Sequence, residues 1–454
     1  MAESKPGHAA EGTLLWRLGL HRPELRAWAM YDWANSAFWA TIIQIFPFYY
    51  VRVAHADLPA ATANARYAAA TTVAMLIIAL LSPVLGAIAD HAGVKKKMLA
   101  GFLLLGIPAT ALMFFIQRGD WGLATTLFVI ANIGVAGSIV FYESLLPHVA
   151  REDEIDRVSA AGYALGYLGS GLLMAANLVM IQRPQWFGLA DSAAAMRVSF
   201  LSVAVWWLVF SIPLFRRVAE PALRAKPAGV PHQRQNLIAA GFQRVGETLR
   251  ELRGYREAFL MLVAFLVYND GISTIIRMAA PYAAEIGLPE GAAIGALLLV
   301  QFVGIPFTLL FGMVAKKLGP KRSIFAGLAV YLLITLTAYF MTTIAHFMLL
   351  AAMVGMVMGG TQALSRSLFA SMIPRHKSAE FFAFYGVFEK FAGIIGPALF
   401  AAMIHFTGSS RGAILTLDAF FIVGAAILWF VDVDKGRRAA REAEVRAGLE
   451  VQHS

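Results

Sequence analysis

The chain runs to 454 residues, 59% of them hydrophobic and 15% charged, with a mean hydropathy of +0.65 and a formal net charge of +10. That is more apolar side chain than one soluble core of this length can hide, so the composition excludes a water-soluble globular protein and indicates an integral membrane protein. Zero cysteines exclude disulfides, thiolate metal sites and cysteine nucleophiles.

The apolar residues come in blocks of roughly 20, the length a helix needs to cross ~30 Å of hydrocarbon at ~1.5 Å per residue. Twelve spans are predicted, at 27–51, 67–90, 98–116, 121–142, 159–181, 196–215, 257–280, 291–315, 323–342, 345–365, 381–405 and 412–431. Residues 1–26 precede them without the pattern of a signal peptide, because the first span is longer than an h-region and keeps polar residues. The "ATANA" at Ala61 to Ala65 resembles a cleavage site only superficially. Between the sixth and seventh spans, 216–256 is a basic linker. Its Ile238, Phe242, Val245, Leu249 and Leu252 recur at helical spacing, which fits an amphipathic helix on the membrane surface or an ordinary linker helix. The tail, 432–454, alternates in charge, as a solvated helix or a disordered end would.

Most of the 38 Lys and Arg fall on the side of both termini, so the positive-inside rule predicts a multi-pass protein of the cell (inner) membrane with both termini cytoplasmic. The net charge is then a topology signal. No soluble domain exists to carry a nucleic-acid surface, and nucleic acid is not an expected partner.

Two loops on the terminal side repeat. "GAIADHAGVKKK" starts at Gly86 and "GMVAKKLGPKR" at Gly312, an offset of 226, with Gly93 and Gly319 in register. "SLLP" at Ser144 and "SMIP" at Ser371 follow at an offset of 227, as do Gly166 with Gly393 and Gly169 with Gly396. This spacing predicts two six-helix halves, 27–215 and 257–431. In the first copy, Gly86 and Gly93 permit a close approach and a tight turn, Lys95 to Lys97 supply the basic run, and Asp90 could pair with the positive end of a neighbouring helix such as the start of span 11. That contact would lock one arrangement of the halves.

Ionisable groups inside a membrane usually face a bundle interior or a water-filled cavity. Asp32 lies roughly 8 Å into span 1, Asn269 and Asp270 near the middle of span 7, and Glu389 and Lys390 roughly 12 to 14 Å into span 11. Arg366, at the end of span 10, reads as a snorkelling or edge charge. The structural alternative for Asp32 is a pairing with a nearby base such as Arg26.

With these motifs in view, "YDWANSAF", "DRVSAAGYALGYLGSGLL", "YNDGISTIIRM", "LLLVQFVGIPF" and "QALSRSLFASMIP" resemble the major facilitator superfamily, in the branch of vacuolar amino-acid effluxers and their bacterial relatives. The resemblance implies an all-α membrane fold of twelve helices in two halves, with spans 1, 4, 7 and 10 lining a central cavity. Those spans carry Asp32 and Asn35, Asn132, Asn269 and Asp270, and Gln362, which with Glu389 and Lys390 are the candidate substrate or proton groups. Gly86, Asp90, Gly93 and Lys95 are the candidate gate. Gly162 and Gly166, and opposite them Gly393 and Gly396, are expected to pack the seam between halves.

The function implied is secondary active transport by alternating access, moving a small polar or zwitterionic solute, with amino-acid export and proton coupling the expected form. A lipid or lysolipid transporter of the same fold is the alternative. A pump is disfavoured by the missing nucleotide-binding loop, and an intramembrane hydrolase by the missing H-E-x-x-H and G-x-S-x-G motifs. No cofactor or metal is expected. The expected partners are a small-molecule solute, the lipid bilayer and protons, and the expected state is a monomer.

Overall fold

The computed structural model describes residues 12–55, 60–221, 250–285, 290–391, 395–396, 399–400, 402–403 and 410–448. Most of the predicted linker helix, with Ile238, Phe242, Val245 and Leu249, lies outside the described residues, as do Gly393 and the Lys390 side chain.

The described chain is all helical in its regular structure. Helix α1 spans Pro23–Ala54, α2 Ala60–Ala92, α3 Lys95–Leu112, α4 Trp121–Ser144, α5 Ile155–Gln182 and α6 Ser192–Arg217. After the linker come α7 Arg256–Glu285, α8 Glu290–Leu318, α9 Pro320–Tyr339, α10 Ile344–Ser371, α11 Ser378–Phe391, α12 Asp418–Trp429 and α13 Val433–Arg446. Among the described residues, 11 helices are long and apolar enough to cross a membrane. The remaining predicted span, 381–405, is described as helix over α11 and in short pieces beyond it.

Local chemistry sets the ends. Pro23 opens α1, where a missing N–H costs nothing and its fixed φ suits the first turn. Asp191 caps α6 by accepting from Ala194 N at 2.8 Å, and Asp432 caps α13 by accepting from Lys435 N at 3.0 Å. The two repeated turns share one device, since Gly93 and Gly319 take φ of +61° and +83°, a region open to glycine and strained for other residues. Helix α1 carries two π-helical turns, Phe38–Ile42 and Tyr50–Ala54, the first of them one turn beyond Asp32 and Asn35. Such bulges concentrate at functional sites.

In packing, α1 lies on α5 and α6, and α3 on α4 and α6; in the second set α8 and α9 lie on α10, and α7 on α12. The two sets of six meet where α5 touches α8 and α10, and where α11 touches α2 and α4. Leu80, Leu104, Leu208, Leu333 and Ile422 are exposed around the outside, a face that only lipid can cover favourably. The described ends of the chain lie on the same side, called here the terminal side, where Trp16 meets Arg157 and α13 meets Glu152.

Glycines let backbones touch where α3 and α4 cross. A Cβ at Gly134 would overlap the Gly106 backbone, whereas one at Gly101 would meet nothing within 4 Å. Gly134→Ala is therefore expected to cost about 1–3 kcal/mol and to lower the thermal unfolding midpoint in detergent, while Gly101→Ala leaves it unchanged or slightly raised.

Candidate functional site

A cavity of about 1130 Å³ lies between the two sets of helices. Its floor is made by Asp32, Tyr142, Glu143, Tyr163, Arg366 and Glu389. Its walls are largely apolar, with Met75, Leu76, Leu297, Val300, Val354 and Met358. It extends away from the terminal side, as far as Tyr67 near the start of α2, Tyr282 near the end of α7 and Phe347 near the start of α10.

The floor is organised by one ion pair across the two sets. Asp32 Oδ2 accepts from Nη1 and Nη2 of Arg366, each at 3.2 Å, and from the Tyr142 hydroxyl at 2.7 Å. Arg366 in turn donates through Nε to Ser159 Oγ and through Nη2 to the Ser159 carbonyl, both at 2.9 Å. Its guanidinium lies 4.9, 5.8 and 4.4 Å from the ring centres of Trp28, Tyr142 and Tyr163, positions that favour a cation on the ring faces. Glu143 Oε1 stands 3.9 Å from Nη1. Arg366 is 1% exposed.

This corrects the edge-charge expectation for Arg366. Hydropathy falls at residue 365, but the helix runs on to Ser371, so Arg366 lies well inside α10 and faces the other set of helices. The base that Asp32 meets is this arginine, while Arg26 Nη1 donates to the Leu20 carbonyl at 3.4 Å. Glu143 escaped the sequence reading for a similar reason, lying just past the predicted end of span 4 in a helix that continues to Ser144. One signal was available: Arg366 stands between Ser365 and Ser367, and small neighbours let a guanidinium sink between helices.

Among the candidates, Asp32, Asn35, Asn269, Gln362 and Glu389 line the cavity. Asn35 Nδ2 donates to its own helix at the Tyr31 carbonyl, and Asn269 Oδ1 is buried without a hydrogen-bond partner. Asn132 and Asp270 do not line it. Asn132 Nδ2 donates to the Phe128 carbonyl, and Asp270 accepts the Gly396 N–H through both carboxylate oxygens at 3.1 Å.

The glycines sort by partner. Gly162 faces the ion pair, where a Cβ would overlap Asp32 Oδ2 and sit 3.1 Å from Arg366 Nη2, and Gly166 faces Ser36. Both therefore seat α1 on α5 within the first six helices, and only Gly162 also touches a residue of the second six. Two close crossings of the seam fall at the repeated glycines: a Cβ at Gly86 would come 2.6 Å from the Ala379 carbonyl oxygen of α11, and one at Gly312 would come 2.6 Å from Ala160 Cβ of α5.

Toward the terminal side the two sets close in layers. Ser159 Oγ donates to the Ala363 carbonyl at 2.7 Å and Ser367 Oγ to Asp156 Oδ1 at 2.6 Å. Below them Asp90 accepts the Glu380 N–H at 2.8 Å in the first turn of α11 and pairs with Lys95 at 2.8 Å, both side chains 3% exposed. Lys95 Nζ also reaches Ser378 Oγ at 2.6 Å and His148 Nε2 at 2.8 Å.

Because Gly162 leaves the slot that Asp32 and Arg366 share, Gly162→Ala is expected to separate them. Its thermal unfolding midpoint should fall about as far as that of Asp32→Asn, and the double variant should fall little further, since both changes act on one pair. An unchanged midpoint for Gly162→Ala would show that the slot is not needed.

Comparison with known proteins agrees with this architecture. The sequence profile of the family described as "Vacuole effluxer Atg22 like" matches residues 60–441. The chain is 36% identical over 409 residues to the "Uncharacterized MFS-type transporter YxiO" of Bacillus subtilis (strain 168), covering 89% of this chain and 94% of that one. It is 24% identical over 457 residues to Autophagy-related protein 22 of Coccidioides immitis (strain RS), covering 83% and 74%. Its fold is similar to that of the major facilitator superfamily transporter FucP in the outward conformation, with a TM-score of 0.63 at 13% identity over 90% of this chain and 98% of that one. It is also similar to the proton:xylose symporter XylE, with a TM-score of 0.64 at 15% identity over 93% and 97%. The protein belongs to the Atg22-like family and is a multi-pass membrane transporter of the major facilitator superfamily.

Proposed function

We propose that the protein is a secondary active transporter that exports small zwitterions, amino acids foremost, by alternating access of two six-helix halves, 27–215 and 257–431. The observation that carries this reading is the Asp32 and Arg366 pair on the cavity floor. A zwitterion presents one ammonium and one carboxylate. It can give the first to Asp32 and the second to Arg366, replacing the bond that ties the halves together, while its side chain rests on the apolar walls. The guanidinium keeps its ring contacts when its carboxylate partner changes, which lowers the cost of the exchange. Binding and unlocking are then one event.

In this reading the protein lies in the cell membrane as a monomer with both termini cytoplasmic, and the closed layers on their side, with the cavity beyond them, make this the outward-facing state. Gly86, Asp90, Gly93 and Lys95 form the cytoplasmic gate. Glu389, half-buried at the floor, is the proton-carrying carboxylate. The relatives' description as vacuole effluxers supports export, and the naming of FucP and XylE as proton symporters supports coupling on this fold.

Purified protein in liposomes, screened with pooled labelled amino acids under an imposed pH gradient, tests the reading. Uptake is expected, and Asp32→Asn and Arg366→Gln should each weaken both net uptake and exchange by roughly thirty-fold or more, the cost of breaking a buried, hydrogen-bonded charge pair. Glu389→Gln should abolish pH-driven uptake and retain exchange. No flux of amino acids together with flux of a lysolipid would assign the apolar walls to an acyl chain instead.

The gate has its own test. Removing the charge of Asp90 weakens its contact with the α11 N-terminus by about 0.3–1 kcal/mol and also leaves Lys95, buried beside it, without its carboxylate, so populations should shift at least a few-fold. Asp90→Asn should therefore raise labelling of cysteines placed behind the gate from the terminal side, and unchanged labelling would remove Asp90 from the gate.

A further inference from the structure

Each described end of the chain is fastened to its own six helices and reaches across to the other six. At the N-terminal end, Glu154 pairs with Arg22 and lies 3.3 Å from His21 Nε2. Burial pushes the His21 imidazole below its ordinary range against the pull of Glu154, so at neutral pH the anchoring charge is Arg22. Arg157 of α5 donates to the Trp16 carbonyl at 3.0 Å and places its guanidinium 4.8 Å from the Trp16 ring centre. From the other set, Lys316 of α8 approaches the same ring at 4.6 Å.

The C-terminal end mirrors this. Helix α13 is docked on the second six, where Asp432 N–H donates to Glu257 at 2.8 Å and Glu444 accepts the Arg375 N–H at 2.7 Å. Its Arg441 pairs with Glu152, and Arg437 Nε lies 3.9 Å from the same carboxylate, in the turn that leads into α5 of the first six.

The repeat explains why the seam needs them. In the first copy Asp90 holds the N-terminus of α11, but the second copy has Lys316 at the matching place, and a cation cannot hold a helix N-terminus. Lys316 holds the Trp16 ring instead, and Glu152, just ahead of α5, is held by α13.

We propose that the two terminal segments are clasps that bias the terminal side toward closure and set how often it opens. The clasps rest on the rocking of two halves proposed above. Of the contacts the terminal segments make, opening breaks the Lys316 contact with Trp16 and the pairs of Glu152 with Arg437 and Arg441, leaving each segment docked on its own half. The Arg441 and Glu152 side chains are 56% and 38% exposed, so the pairs are individually weak and screened by salt, which makes them a bias and not a lock.

The full-length, cysteine-free chain allows spin labels at Lys97→Cys and Lys317→Cys, one exposed position on each set at the terminal side. Glu152→Arg, or Arg437→Glu with Arg441→Glu, should raise the population at the longer separation roughly three-fold. The combined charge swap should return it to the starting value, and Trp16→Ala should raise it from the other end. High salt should move the unsubstituted protein and the reversed variants toward one another, because it screens the attraction in the first and the like-charge repulsion in the second. Distances indifferent to reversal, or a swap that fails to restore them, would overturn the clasps. A single separation in every variant, Asp90→Asn included, would overturn the rocking of halves and the clasps with it.

Discussion

A carboxylate and a guanidinium held out of water between two sets of helices are the constraint around which this protein is arranged. Desolvating such a pair costs several kcal/mol per ion, and the cost is recovered only where every remaining donor and acceptor is met. Here Asp32 Oδ2 takes three donors, all of the arginine's nitrogens donate or lie against partners, and three aromatic rings cover the guanidinium. Gly162 leaves the space, Ser159 orients the arginine, and Tyr142 orients the carboxylate. Because Asp32 sits on α1 and Arg366 on α10, the same bond that satisfies the charges also ties the first six helices to the last six.

That dependence gives the cavity its character. An ion pair at the floor of an apolar pocket is stable until a solute with the same two charges offers both ions a new partner. The layers beneath the floor run from Ser367 on the Asp156 carboxylate to Asp90, which is paired with Lys95 and accepts from the start of α11, and each hydrogen bond that crosses between the two sets there is individually modest. A structure closed by charged groups that a solute can re-pair, with hydrogen bonds beneath them, has two arrangements that a ligand's differential affinity can bias. The divergence of the two repeat copies, aspartate in one and lysine in the other, makes the two sides of the seam unequal and gives the terminal segments a part in closing it.

Much of this was legible in the sequence, for reasons that can be named. Blocks of about 20 apolar residues have few ways to satisfy their backbone in lipid, so the all-helical class followed from length, and among the described residues 11 of the twelve predicted spans are helices long enough to cross. The run Gly86, Asp90, Gly93 and lysine pointed to a helix N-terminus as the partner of Asp90, and the Glu380 N–H stands there. The depth of Asp32 pointed to an interior carboxylate, and it lines the cavity. The partner of Asp32 was not legible, because it lies 334 positions away and hydropathy ends span 10 one residue before it. Small-residue spacing at Gly162 and Gly166 signals a close helix approach without saying which helix comes close, and here it is α1. The π-helical turns of α1 and the contacts of Trp16 and Glu152 had no local pattern to announce them, since each depends on what the rest of the fold brings alongside.

The central claim is that Asp32 and Arg366 act as one bond holding the two sets of helices together on the terminal side. A double-mutant cycle of Asp32→Asn and Arg366→Gln, read as the fraction of molecules open at that side by spin-label distance, tests it most directly. The account predicts that each single change opens the terminal side and that the double change opens it no further than the larger single one, a coupling of about 1 kcal/mol or more. Effects that simply add, or an open fraction unmoved by either change, would contradict it.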